Sequence, residues 1–74
     1  MTFEAEERPF GKRDRLARML RVVAVLRAHP EGIRPAEIAR RTGVATRTVY
    51  RDLRALETEV GVAVWSEDGL WGVV

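Results

Sequence analysis

The sequence predicts a small α+β domain in which three helices are followed by a C-terminal β-hairpin. Two observations predict it. From Lys12 to Val60 the apolar residues recur at steps of three and four, the period of a helix face. After Gly61 the pattern changes to alternation in "VAVWS" and "LWGVV", and the "EDG" between them carries Asp68-Gly69, a strong hairpin signal. With 74 residues, the chain accommodates one domain.

The first helix is expected over "KRDRLARMLRVVAVLRAHP". Leu16, Met19, Leu20, Val23 and Leu26 form its inward stripe, Asp14 in the first turn suits the helix dipole, and Pro30 closes the segment. Val22 and Val25 fall off that stripe. They either widen the apolar face or offer a contact to a partner chain. "EGIRP" reads as a turn with a short extended piece. Pro35 then suits the first position of a second helix, "PAEIARRTG", which turns Ile38 and Ala39 inward and stops at Gly43. "VAT" links it tightly to a third helix over about residues 46–60, with Ala45 or Thr46 at the cap. Two helices so joined are a helix-turn-helix. With the short strand before the second helix and the hairpin at the end, the order is that of a winged helix-turn-helix spanning residues 12–74. Residues 1–11, "MTFEAEERPFG", have no period and contain Pro9 and Gly11; they are expected to form a flexible N-terminal arm.

Composition narrows the function. There is no cysteine, so disulfides and cysteine-based metal sites are excluded. The longest helical segment is studded with arginine and unsuited to a bilayer, and Met1–Arg8 is acidic, unlike a signal peptide. A soluble cytoplasmic protein is expected. The single histidine, His29, sits at a helix end where it is placed to cap carbonyls. No Ser/His/Asp set, metal-ligand cluster or glycine-rich phosphate loop accompanies it, so neither enzyme chemistry nor a cofactor is expected.

Charge is distributed unevenly. Glu4, Glu6 and Glu7 against Arg8 leave residues 1–11 at −2. Residues 12–54 hold twelve Lys and Arg against Asp14, Glu31, Glu37 and Asp52, a surplus of +8. Glu57, Glu59, Glu67 and Asp68 leave residues 55–74 at −4. The basic middle is where a polyanion would bind.

The stretch "TRTVYRDLRALETEVG" concentrates that charge. On a wheel with Val49 at zero, Leu53, Leu56 and Val60 fall at about 40°, −20° and 20°, while Arg54, Arg47 and Arg51 fall at about 140°, 160° and 200°. The oily stripe explains why the helix docks. It does not explain the arginine row opposite. That row starts at a helix N-terminus, where amides and dipole favour phosphate, and on the second helix of a helix-turn-helix, which enters the major groove by its first turns. Arg47 and Arg51 are placed for base edges, since a guanidinium fork on guanine is the commonest specific contact. Thr46 and Thr48 suit phosphate. Tyr50 would bond phosphate or lie on the second helix, and Arg54 stands a turn further on. Arg40 and Arg41 of the second helix, and Lys12, Arg13 and Arg15 of the first, are candidates for the DNA backbone. Asp52 is expected to pair with Arg41 or a first-helix arginine and so to fix helix orientation.

The stretch "GVATRTVYRDLRALETEVGVAVWSEDGLWG" resembles the N-terminal winged helix of the WYL-domain transcriptional regulators, a group related to the DeoR-type and biotin-repressor-type winged helices of bacteria. The resemblance covers about residues 12–74. It implies a bacterial regulator of promoter DNA, usually dimeric, whose chain usually continues into a ligand- or nucleic-acid-sensing WYL domain. The 74 residues do not include such a domain, so the expectation is either an isolated DNA-binding domain or part of a parent protein that carries an effector domain of that kind. One departure is Ala45, where the family commonly has a capping serine.

In the hairpin, an Asp68-Gly69 turn pairs Ser66 with Trp71 and Trp65 with Gly72. One tryptophan is expected on the helices and the other largely exposed. The tip "SEDG" is acidic, so wing contacts with DNA would have to come from backbone amides, Ser66 or Trp65. The expected function is therefore sequence-specific binding of double-stranded DNA, with a second copy on the same site and at most a weak dimer in free solution. The alternative is a winged helix that uses its arginines on an acidic protein partner.

Overall fold

Helices α1 (Lys12–Arg27), α2 (Pro35–Thr42) and α3 (Thr46–Ala55) follow in order, α3 continues through a π-helical turn (Leu56–Val60), and strands β1 (Val64–Glu67) and β2 (Leu70–Val73) close the chain. The computed structural model describes residues 12–74, with side chains from Asp14 onward. The expected arm, residues 1–11, lies outside the described residues.

The expected architecture, a winged helix-turn-helix, is the one found. Gly43 ends α2 in the left-handed region at φ 77° and donates to the Ala39 carbonyl. Val44 donates to the same carbonyl, so the link to α3 turns tightly. The hairpin is antiparallel with Trp65 opposite Gly72 and Ser66 opposite Trp71, the expected register. Asp68 at φ 54° and Gly69 at φ 81° give the two positive angles that a two-residue hairpin turn requires. The short extended piece between α1 and α2 reduces to Ile33. Its N–H and carbonyl exchange hydrogen bonds of 2.9 Å with Trp71, adding a one-residue third strand to the sheet.

The core gathers Met19, Val22 and Leu26 from α1, Ile33, Ile38 and Ala39, and Val49, Leu53, Ala55 and Leu56 from the long third helix. This corrects the expected inward face of α1. Val22 is fully buried and Val25 partly so, whereas Leu16 and Leu20 are 57% and 61% exposed. Met19 and Leu26 of the expected stripe are buried and Val23 packs against the core, so the stripe is rotated and not replaced: Val22 joins it, and Leu16 and Leu20 leave it. Periodicity cannot fix that rotation, because apolar residues at overlapping steps of three and four satisfy either facing. Arg18, on the side of Val22, reaches a buried carboxylate on α3, and that side is turned inward.

Val60 also departs from expectation. It was placed on the buried stripe, yet it is 57% exposed. The wheel assumed α-helical turns, and the last turn is π-helical, so each residue after Leu56 advances less around the axis. Val60 swings outward. Gly61, at φ 87°, reverses the chain, and Val62 packs against the core instead.

Neither tryptophan is largely exposed; both are half-buried. Trp71 packs against the core. Trp65 covers glycine backbone: a methyl group on Gly72 would lie 2.6 Å from its indole, and one on Gly32 would lie 2.7 Å from it. Gly72 has no positive φ, so the constraint there is space. Gly72→Ala is expected to cost about 1–3 kcal/mol by overpacking. A lower urea midpoint with altered Trp fluorescence would bear this out, and an unchanged midpoint would show that the ring is free to move aside.

Candidate nucleic-acid interface

Helix α3 sets the site because it is anchored on one side only. Val49 and Leu53 are fully buried, and so is Asp52, at 2% exposure. Arg18 of α1 grips Asp52 with a fork, Nε donating to Oδ2 at 2.6 Å and Nη2 to Oδ1 at 2.9 Å. Of the two partners considered for Asp52, the structure selects the first-helix arginine. The carboxylate holds the Arg18 guanidinium protonated, raising its pKa above the ordinary arginine value chiefly through this hydrogen bond. A paired, directional contact beside the oily stripe fixes how far α3 rotates about its own axis.

That rotation turns Arg47, Arg51 and Arg54 to solvent together with Thr46, while Thr48 is half-buried. Among the described residues, the arginines within 4 Å of a carboxylate are Arg15, Arg18, Arg40 and Arg41. Among the described residues the row on α3 is thus left uncompensated. At its start, Ala45 is the N-cap, with an extended backbone and no side-chain hydrogen bond to the helix. Thr46 does not take over the cap; it is the first helical residue. Thr48 already donates to the Ala45 carbonyl at 3.0 Å, which leaves the amides of Thr46 and Arg47 open beside the arginines. Ala45→Ser should supply the missing acceptor and raise stability by about 1 kcal/mol, or roughly 4–8 °C in Tm for a domain of this size. Calorimetry checks it; an unchanged Tm would mean that the cap geometry excludes the serine oxygen.

Tyr50 has an aromatic partner in the wing. Its ring meets Trp71 edge to face, with centroids 6.3 Å apart and planes at 83°, and half of the residue remains exposed. Through this contact the wing is braced against the outer side of α3. Sequence reasoning missed the pair because the partners are far apart in the chain and no local period links them.

The other basic residues are placed differently. Arg40 and Arg41 both close on Glu37, three and four residues before them on the same helix face, with Arg41 Nε 3.0 Å from the carboxylate. Hydrogen bonds from Arg40 and then Arg41 hold the Glu37 carboxyl below its ordinary pKa. Arg15 pairs with Glu59 at 3.3 Å, which puts it at the acidic end of the third helix, away from Arg47. The structure therefore does not bring Arg15 together with the α3 row. Lys12 and Arg13 lie in the first turn of α1, and their side chains fall outside the described residues. His29 lies at the end of α1, its Nδ1 2.8 Å from the Val25 carbonyl.

Among the described residues no group of three or more His, Asp or Glu is arranged to hold a metal ion, and no helix is long and apolar enough to cross a membrane. An open groove of about 430 Å³ between α1 and the hairpin is lined by Val23, Arg27, Val62, Ala63, Val73 and Val74, without an acid–base pair.

A family model described as "HTH domain" matches residues 18–73. The chain is also 43% identical over 63 residues to the HTH-type transcriptional regulator Rv1719 of Mycobacterium tuberculosis (strain ATCC 25618 / H37Rv), a match that covers 85% of this chain. It covers 24% of that relative, so the chain spans about a quarter of the relative's length. No solved structure matches the chain.

Proposed function

Because the chain belongs to the HTH-domain family, we propose that it binds double-stranded DNA as the DNA-reading part of a transcriptional regulator, with α3 in the major groove. The observation that carries this reading is the uncompensated row Arg47, Arg51 and Arg54, exposed opposite the buried stripe and beginning at an uncapped helix N-terminus. Arg47 and Arg51, nearest the helix start, are the base-reading residues; Arg54 and Thr46 hold phosphate, with Thr48 beside them. Tyr50 keeps its ring edge against Trp71 and offers its hydroxyl to the backbone. Arg40 and Arg41 would reach phosphate only by leaving Glu37, an exchange of one anion for another. Arg13 is a weaker candidate, and Arg15 would have to leave Glu59.

The relative's name, transcriptional regulator, supports the same reading, and its greater length fits a regulator in which the DNA-reading part is one of several. A WYL-like effector domain in the parent protein belongs to this proposal. So does a second copy on the DNA, since one helix-turn-helix covers about one half-site.

Titration against short duplexes at several salt concentrations tests the proposal. A steep negative slope of log affinity on log salt, with strong preference for a selected duplex over its scrambled form, is expected. Equal binding of an acidic polypeptide, with no preference among duplexes, would transfer the arginine row to a protein partner.

A further inference from the structure

The wing has an acidic tip, Glu67-Asp68-Gly69, which repels phosphate, yet it is braced beside the arginine row through Tyr50 and Trp71. We propose that the wing's phosphate contact is made by a residue outside it, Arg34, whose guanidinium lies across the wing turn and grips the DNA backbone there. This rests on the duplex-binding reading above.

Four observations place Arg34 in that role. Its neighbour Ile33 is hydrogen-bonded in both directions to Trp71, so the chain just before Arg34 is held against the wing. Its side chain lies at the turn itself: a methyl group on Gly69 would stand 2.8 Å from Arg34 Nη1. It is exposed, and among the described residues no carboxylate lies within 4 Å of it, although Glu67 and Asp68 are close in the chain to the turn it covers. Finally, Arg34 caps α2 with its backbone alone; its carbonyl accepts from Glu37 and Ile38, and its side chain makes no cap hydrogen bond.

The chemistry follows from these. A guanidinium has five donors and cannot lose its charge. Structural arginines spend those donors inside the protein, as Arg18 does on Asp52. Among the described residues Arg34 spends none on a side chain. A cation held over an acidic tip lowers the local negative field and leaves its donors facing outward. The first helix of a helix-turn-helix crosses the DNA backbone, so a long cation rooted at the start of α2 meets phosphate, not base edges. The wing then needs no cation of its own, which accounts for a tip sequence that would otherwise oppose binding.

The test uses the whole chain and a mixed-sequence duplex, followed by fluorescence anisotropy across a salt series, with unfolding midpoints measured alongside. Arg34→Ala is expected to weaken binding several-fold on every duplex alike and to reduce the log–log salt slope by about 0.9, one phosphate's share. Arg34→Lys keeps the charge and should retain the slope. The midpoint should hardly move, because the cap is backbone-made. A slope unchanged in Arg34→Ala, while Arg54→Ala lowers it, would overturn the proposal and leave the duplex-binding reading intact. A loss confined to one base position would also overturn it, by making Arg34 a reader of sequence. Affinity lost only in proportion to a lowered midpoint would reduce Arg34 to a screen for the acidic tip and equally overturn it. Absence of salt-dependent duplex binding by the parent would remove both the proposal and the reading beneath it.

Discussion

Leu53→Ala is expected to lower stability by about 2–5 kcal/mol. Leu53 is fully buried, at the centre of the stripe that docks α3 on the other helices. Truncating it removes three carbon atoms' worth of apolar contact and leaves a void that a small, three-sided core cannot collapse to fill. The magnitude matters because a domain of 74 residues has only about 4–11 kcal/mol to lose, at roughly 0.05–0.15 kcal/mol per residue. Urea unfolding should show the midpoint falling with little change of slope. DNA affinity should fall only by the fraction unfolded, since Leu53 faces away from the arginine row. A folded Leu53→Ala variant with normal stability would contradict the packing described here.

Arg47→Ala and Arg51→Ala should behave in the opposite way. Each is exposed and, among the described residues, within 4 Å of no carboxylate, so stability should change by less than about 0.5 kcal/mol, as for ordinary surface positions. Binding should weaken by about 1–3 kcal/mol on the preferred duplex, with relaxed preference at one base pair, if the fork reads guanine. Arg54→Ala, a turn further from the helix start, should weaken all duplexes evenly. Parallel titrations of the preferred and scrambled duplexes separate the two patterns, and an even loss for all three variants would make the row a phosphate clamp without sequence reading.

Much of this was legible in the sequence, for identifiable reasons. Proline and glycine mark the ends of α2, Asp68-Gly69 sets the hairpin register to the residue, and the Val49/Leu53/Leu56 stripe places the arginine row opposite. These are local rules, each satisfied within a few residues. What failed was facing and proximity. On α1, apolar residues at overlapping steps satisfy either facing, and only the Arg18–Asp52 fork, 34 residues apart in sequence, shows which side turns inward. The π-helical turn shifts Val60 off a stripe drawn for α-helical steps. The glycines under Trp65 explain why that ring is not left largely exposed, and nothing in a linear reading links Gly32 or Gly72 to it. The candidate site divides in the same way. The α3 row was visible as a period, whereas the capture of Arg40 and Arg41 by Glu37, of Arg15 by Glu59, and the position of Arg34 over the wing turn depend on geometry.

The central claim is that the outer face of α3 reads the major groove, and guanine N7 lies there. Methylation interference on a duplex selected from random sequence therefore tests it most directly, with the parent compared against Arg47→Ala and Arg51→Ala. Methylating particular guanines is expected to block the parent, and each variant to become indifferent to methylation at one of them. If methylation at guanine N7 leaves the parent's binding untouched throughout the selected site, or if both variants show the parent's pattern unchanged, α3 is not the reading element.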